Sequence, residues 1–513
     1  MPGKYAKKRK FPLVPVLIVV VLVLAAAVAV LLLKGPGPQE HPGETTTAPA
    51  TLETQPAETT IPPETTVPPT TVPADELKVI ETTASFTVTG DLLMHKPVFQ
   101  SCWDNEQGTW VFDPIFTFVT PYIQSADYAV ANLETTLRGE NPTYPYSGNP
   151  LFNCPDGIAI SSLNAGFDML LTGNNHCYDT RMLGIRRTLE VVAENGLESL
   201  GTQYDAQAPK YKVIEVNGIK VGMTAYTFET HDGIPNIPSI NAIQCHPDSI
   251  GMINSFDYGQ LNKFYEQIGA QFEGMREQGA EAIVVYMHWG EEYILEPLES
   301  QVKIAQKLCD MGVDVIVGGH PHVIEPVDLL TSTEDESHKT LIIYSTGNAV
   351  SNQRIHEMRM KSGHTEDGIL FNFTLVKYID GTVEVLDTSC VPTWVHMVGD
   401  KESYTILPLD FSLRETWMEL FSIDEDVYNA CLASYERTMA LVGEGIEKAQ
   451  SWFREMHRAK VEELNDPNWK PQPPETEPPE TTAPSEPAET TDPTESTGET
   501  TVPETTDPSA PTE

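Results

Sequence analysis

From residue 84 onward, short apolar runs alternate with longer stretches in which apolar residues return every three or four positions. The short apolar runs at 84–89, 128–131, 169–171, 221–226, 282–287, 313–317 and 341–344, most of them rich in β-branched residues, predict strands. The stretches 181–194, 258–277 and 299–311 carry a helical period instead. Strands alternating with helices predict a layered α/β architecture around a largely buried sheet. Past residue 411 the pattern turns mostly helical as far as 465. The expected organisation is therefore a main domain over 81–400 and a helical extension over 401–470.

The two ends of the chain read differently. Lys4, Lys7, Lys8, Arg9 and Lys10 precede an uncharged apolar run at 11–33, about the length a helix needs to cross a bilayer. The run is long for a cleaved signal and leads into more leucine, so an uncleaved single-pass anchor is expected. The basic residues before it place stub 1–10 in the cytoplasm and the bulk of the chain outside the cell membrane. Residues 34–80 and 471–513 repeat Thr, Pro and Glu, cannot bury apolar surface, and are expected to be disordered spacers. The formal net charge is −42, most of it in the middle of the chain, which excludes nonspecific nucleic-acid binding. An anionic substrate then needs local positive charge, and bound cations are one source. The seven cysteines show no CxxC spacing, so neither a zinc–thiolate site nor a dense disulfide framework is indicated.

Candidate chemistry clusters just past the predicted strands. Asp91 follows the first; Asn132 and Glu134 follow the second; Asn174, Asn175 and His176 follow the third. His288, the pair His320 and His322, and Asn348 follow later strands. In an open α/β sheet the carboxyl ends of the strands gather at one edge, where ligands bind. Singly, each residue is more simply a turn former or a satisfied polar group. Six strand ends that all carry metal-capable side chains are a different matter. Carboxylate, amide and imidazole without thiolate suit one or two divalent ions among Mn, Fe, Zn and Mg.

The ordered motifs Gly90-Asp91, Asn132-Leu133-Glu134, Gly173-Asn174-Asn175-His176 with Asp179, His288-Trp289-Gly290-Glu291-Glu292-Tyr293, Gly319-His320-Pro321-His322 and Tyr344-Ser345-Thr346-Gly347-Asn348 resemble the CapA family of poly-γ-glutamate capsule proteins, itself similar to the calcineurin-like metallophosphatases. The resemblance covers about 84–375. It implies a four-layer α/β/β/α sandwich, with Asp91, Glu134, Asn175, His288, His320 and His322 as metal ligands. It further implies that His176 is a catalytic proton donor. Implied partners are a capsule-like anionic polymer and membrane subunits of a polymer synthesis or export complex. Metallophosphatases usually open with Asp-x-His, whereas here the position two after Asp91 is Leu93, with His95 the next imidazole. That departure leaves open whether the chain is a hydrolase of phosphoesters or γ-glutamyl amides, a nonhydrolytic polyanion binder, or a wall-associated scaffold. Asn174, Trp289, Glu292, Asn348 and Arg181 are the weaker candidates for substrate contact. For Trp289 packing is the plainer expectation, and for Arg181, with Arg186 and Arg187, a solvated helix face.

Overall fold

The computed structural model of the protein describes residues 78–230, 237–359, 361–398, 403–410 and 423–470. The expected anchor at 11–33, nearly all of the spacer 34–80 and the tail 471–513 lie outside them. Among the described residues no helix is long and apolar enough to cross a membrane.

Two mixed sheets form the body. The first runs, edge to edge, through Ser403–Pro408, Val383–Val398, Asp367–Tyr378, Ile80–Leu92, Tyr128–Asn132, Met169–Leu171 and Glu198–Leu200, with Asn348–Val350 pairing beside Ile80–Leu92. The second runs through Ser255–Phe256, Ile219–Phe228, Ala282–His288, Val315–Gly319, Lys339–Thr346 and Ile324–Thr331, with Lys212–Val216 added alongside Ile219–Phe228. The strands that bear the candidate residues are parallel to their neighbours within each sheet, so their carboxyl ends share one edge.

Alternation along the strands divides the core into layers. In Ala282–His288, Val284 and Tyr286 face the first sheet, while Ile283, Val285 and Met287 face the helices Leu261–Glu277 and Glu299–Asp310. Phe86 and Val88 meet Val221, Met223 and Val315 between the sheets, and Ala129, Ala131 and Leu170 turn outward against Gly157–Ala165 and Arg181–Glu194. The order is helix, sheet, sheet, helix. Because both faces of each central strand are covered, those strands read as unbroken apolar runs.

The stretch 401–470 is not helical throughout. It begins with Ser403–Pro408, which pairs with Val383–Val398 and extends the first sheet. The helix Glu425–Leu464 follows, capped by Asp424, whose side chain accepts from the Val427 N–H at 2.9 Å. Its buried positions Cys431, Ser434, Thr438, Val442, Ile446, Ala449 and Phe453 follow the helical period and pack on strands of both sheets. Arg437 pins it to the buried Asp367 through two hydrogen bonds of 2.7 and 2.9 Å. All seven cysteines are free thiols, six of them buried.

Candidate metal centre

The first sheet brings carboxylates and amides to the shared edge. Asp91 ends its strand at an irregularity where the chain pairs with Asn132 on one side and Asn348 on the other. Gly90 permits this: a Cβ there would fall 1.9 Å from the Gly347 carbonyl oxygen. Asn132 donates to Asp91 Oδ1 at 2.7 Å, and Asn174 in turn donates to Asn132 Oδ1 at 3.0 Å and to the Leu133 carbonyl at 2.9 Å. The strand ends are thereby locked to one another, and Glu134 is carried in fully buried.

The second sheet brings imidazoles. His288 is the last residue of its strand, and His320 and His322 follow Val315–Gly319 in left-handed backbone, with φ of +100° and +56°. Such conformations cost a non-glycine residue about 1–3 kcal/mol each, so the surrounding structure must hold them in place. Tyr293 helps, its N–H donating to the Pro321 carbonyl at 2.8 Å.

Between the sheets these side chains form two donor groups that share one carboxylate: Glu134 with His288 and His320, and Asp91 with Glu134 and His322, the ligand atoms of each group lying within 4.8 Å of one another. His288 Nε2 is 2.9 Å from Asn175 Oδ1 and 3.5 Å from Glu134 Oε1. His322 Nδ1 is 3.1 Å from both Asp91 Oδ2 and Asn348 Oδ1. Neither oxygen of Glu134 has a hydrogen-bond partner, nor has Nδ1 of His320. A buried carboxylate without donors is costly, and a cation is what these orphaned atoms fit. Burial, followed by the charge of Asp91, pushes the Glu134 carboxyl well up. Burial also pushes Asp91 up, but hydrogen bonding and charge from His322 outweigh it and the net direction is down. Burial brings His288 down to about 3 and His320 well below the ordinary histidine range, which keeps both imidazoles in the neutral form that binds metals. The residues present therefore fit one or two divalent ions.

His176 sits beside this centre, 8% exposed, with Nδ1 2.7 Å from Asp179 Oδ2. The carboxylate is fixed on both oxygens: the Phe152 N–H donates to Oδ2 at 2.6 Å, and Asn241 donates to Oδ1 at 2.9 Å. Asn241 is at the tip of the small hairpin Ser239–Ile240 and Ile243–Gln244, where it and Ala242 both adopt positive φ. With the Nδ1 proton committed to Asp179, Nε2 is free to carry a proton to or from a ligand.

The weaker candidates separate. Asn348 buttresses His322, and its amide N–H groups go to the His322 carbonyl, Gln353 and the Thr365 carbonyl. Asn174 is consumed in locking strand ends. Trp289 is fully buried beneath the site with its indole N–H on the Tyr344 carbonyl at 2.9 Å, so it packs and does not face a ligand. Glu292 is exposed on the rim. Arg181 donates to the Asp179 carbonyl at 2.9 Å, Arg186 to the Tyr204 carbonyl at 3.1 Å, and Arg187 pairs with Asp156. The arginine strip is thus engaged within the fold. Leu93 is buried, and His95 stands outside both donor groups, its ring edge-on to Phe152 at 5.2 Å. Asn241 and Phe152 were not foreseen; a lone Asn-Ala between apolar residues is a weaker turn signal than Asn-Gly, and only the tertiary fold brings it to Asp179.

Residues 85–353 match the family described as bacterial capsule synthesis protein PGA_cap, and the chain belongs to that family. Among individual relatives, the chain is 27% identical over 310 residues to the PGA biosynthesis protein CapA of Bacillus subtilis, a match spanning 59% of this chain and 70% of the relative. It is 28% identical over 272 residues to the capsule biosynthesis protein CapA of Bacillus anthracis, spanning 52% of this chain and 60% of that one. Among solved structures, a provisionally assigned 5′-nucleotidase of Staphylococcus aureus in complex with alpha-ketoglutarate aligns over 69% of this chain and 58% of its own, at 15% identity and a TM-score of 0.34.

Proposed function

We propose that the protein is a membrane-anchored, extracytoplasmic metal-dependent hydrolase that acts in the synthesis or export of an anionic capsule polymer of the poly-γ-glutamate kind. The process is suggested by family membership and by the names of the Bacillus relatives, the anchor by the apolar run at 11–33 behind its basic stub. One observation carries the chemistry: Glu134, buried and unpartnered on both oxygens, lies at the junction of two donor groups. Asp91, Glu134, Asn175, His288, His320 and His322 would hold the ions. A divalent ion in such a site supplies a water made acidic enough to attack at neutral pH and a positive field for developing charge. His176, oriented by Asp179, is placed to give a leaving group its proton, and the candidate scissile bonds are a phosphoester and a γ-glutamyl amide. Membrane subunits of a polymer synthesis or export complex are the expected partners.

A second reading has its own support. Leu93 stands where the metallophosphatase pattern has an imidazole, and His95 is not among the donors, so the centre could bind a polyanion through its cations without cleaving it. Elemental analysis of the purified chain, followed by turnover assays on a phosphomonoester and on oligo-γ-glutamate, tests the choice. Near-stoichiometric metal with turnover that the His176→Ala variant loses supports the hydrolase. Metal without turnover of either substrate favours the binding role, and absence of metal after reconstitution with Mn, Fe, Zn and Mg overturns both.

A further inference from the structure

Apart from the metal centre lies a groove of about 400 Å³ with aromatic walls: Trp103, Trp110 and Tyr146 around a buried Phe99. The sequence gives it a rigid frame. Trp103 and Trp110 face each other across the two-stranded hairpin Trp103–Asp104 and Thr109–Trp110, with ring centroids 4.6 Å apart and planes at 68°. Asp104 ties the turn by accepting from the N–H groups of Glu106 at 2.7 Å and Gln107 at 3.0 Å. An isolated hairpin is marginal, and this one is backed by the core through Trp110, whose ring meets Tyr146 edge-on at 5.0 Å. The loop that carries Tyr146 is pressed against the facing wall: a Cβ on Gly148 would fall 2.5 Å from the Lys96 nitrogen. The walls are thus set before any ligand arrives, which lowers the ordering cost of binding.

Two features set the groove apart from ordinary packing. Trp103 leaves 41% of its surface exposed although its hairpin holds it in one position. The polar lining, Lys96, Gln100 and Glu140, is exposed, and these side chains make no hydrogen bond or ion pair with another described residue. Lys96 and Glu140 balance, so the lining offers a charged ligand no net attraction. A neutral polyhydroxylated ring needs none: its C–H faces lie against indole, and its hydroxyls both donate to the carboxylate and amide and accept from the ammonium. The volume is that of a small-ligand site, with room for about one or two sugar rings. Lys96 directly follows His95, whose ring meets Phe152, which meets His176 at 4.5 Å, so His95 and Phe152 stand between the groove and His176.

We propose that this groove is a binding site for a neutral pyranose glycan. The site is independent of the metal centre and holds whether that centre hydrolyses or only binds. The test uses the full-length chain in detergent, titrated with tri-N-acetylchitotriose, with maltotriose and with tri-γ-glutamate, followed by tryptophan fluorescence and calorimetry, with and without EDTA. At least one trisaccharide should bind equally well with and without EDTA, and Trp103→Ala and Glu140→Gln should each weaken that binding about tenfold. Both changes are at exposed positions, and unchanged thermal melts would show that the variants fold. The proposal is overturned if neither trisaccharide binds, if neither variant weakens binding, if EDTA abolishes it, or if tri-γ-glutamate alone binds in a Trp103-dependent way.

Discussion

The two sheets contribute opposite chemistries to one site. The first supplies Asp91, Glu134 and Asn175, oxygen donors that attract positive charge; the second supplies the nitrogen donors His288, His320 and His322, of which burial holds His288 and His320 neutral. Neither set makes a cation site alone. On the first sheet burial, and after it the charge of Asp91, pushes Glu134 up; on the second His320 and His322 stand in strained backbone, and His320 has an orphaned nitrogen. The difference teaches that the donor groups are complete only when the sheets pack, so cation binding there would be thermodynamically linked to the inter-sheet contact.

The largest effect expected from that linkage comes from emptying one side. His320→Ala combined with His322→Ala, which touches only the second sheet, should abolish metal content by elemental analysis. It should also remove the metal-dependent rise in stability, which reaches about 2.7 kcal/mol at a hundredfold excess over Kd. Asp91→Ala, on the first sheet alone, should empty the group it forms with Glu134 and His322 and so lower the metal content; unchanged metal content in either variant would break the comparison. Next in size is Glu134→Gln. In EDTA this substitution removes a buried carboxylate that lacks donors and should stabilise the protein by about 1–3 kcal/mol in urea unfolding, while costing the metal. A destabilised variant would show that the carboxylate is satisfied without a cation.

Asn241→Ala sharpens the comparison at the point where the second sheet's loop reaches the first sheet's His176. Loss of its bond to Asp179 should lower turnover about tenfold with little change in KM, and Asn241→Ser should recover part of it. A separate effect concerns a carboxylate that the second sheet keeps for itself. Glu325 is buried, accepts from Gln301 at 2.7 Å, and burial pushes it up to about 8. Its folded form binds the proton more tightly than the unfolded form. Stability should therefore be highest near and below the ordinary glutamate range and fall as pH rises towards 8, at a slope of up to about 1.4 kcal/mol per pH unit. Glu325→Gln should flatten that portion of a stability–pH curve measured in EDTA; an unchanged slope would assign it elsewhere.

Much of this arrangement is legible in the chain because burial on both faces leaves short apolar runs that stop abruptly at polar residues. Met169–Leu171 and Arg181–Glu194 coincide with their predicted bounds, and the ends of the other predicted strands fall within four residues of theirs. The strands Asp367–Tyr378 and Val383–Val398 escape the reading. The second contains Pro392, which argues against a strand in sequence, yet its carbonyl still accepts from Leu409 at 2.7 Å. Ser403–Pro408 was hidden because an edge strand of six residues resembles a linker. In the site, the donor residues announce themselves by type and position, whereas Asn241, Phe152 and the pairing of Arg187 with Asp156 depend on long-range packing that no local pattern encodes.

The cysteines carry a final consequence. Seven thiols with no disulfide mean that the body gains none of its stability from oxidative cross-links. Burial pushes Cys102, Cys245 and Cys390 up to about 12, which leaves almost no thiolate to react at neutral pH. The fold is therefore indifferent to its redox surroundings. It can mature without a thiol oxidase, and its melting temperature should be the same with and without dithiothreitol.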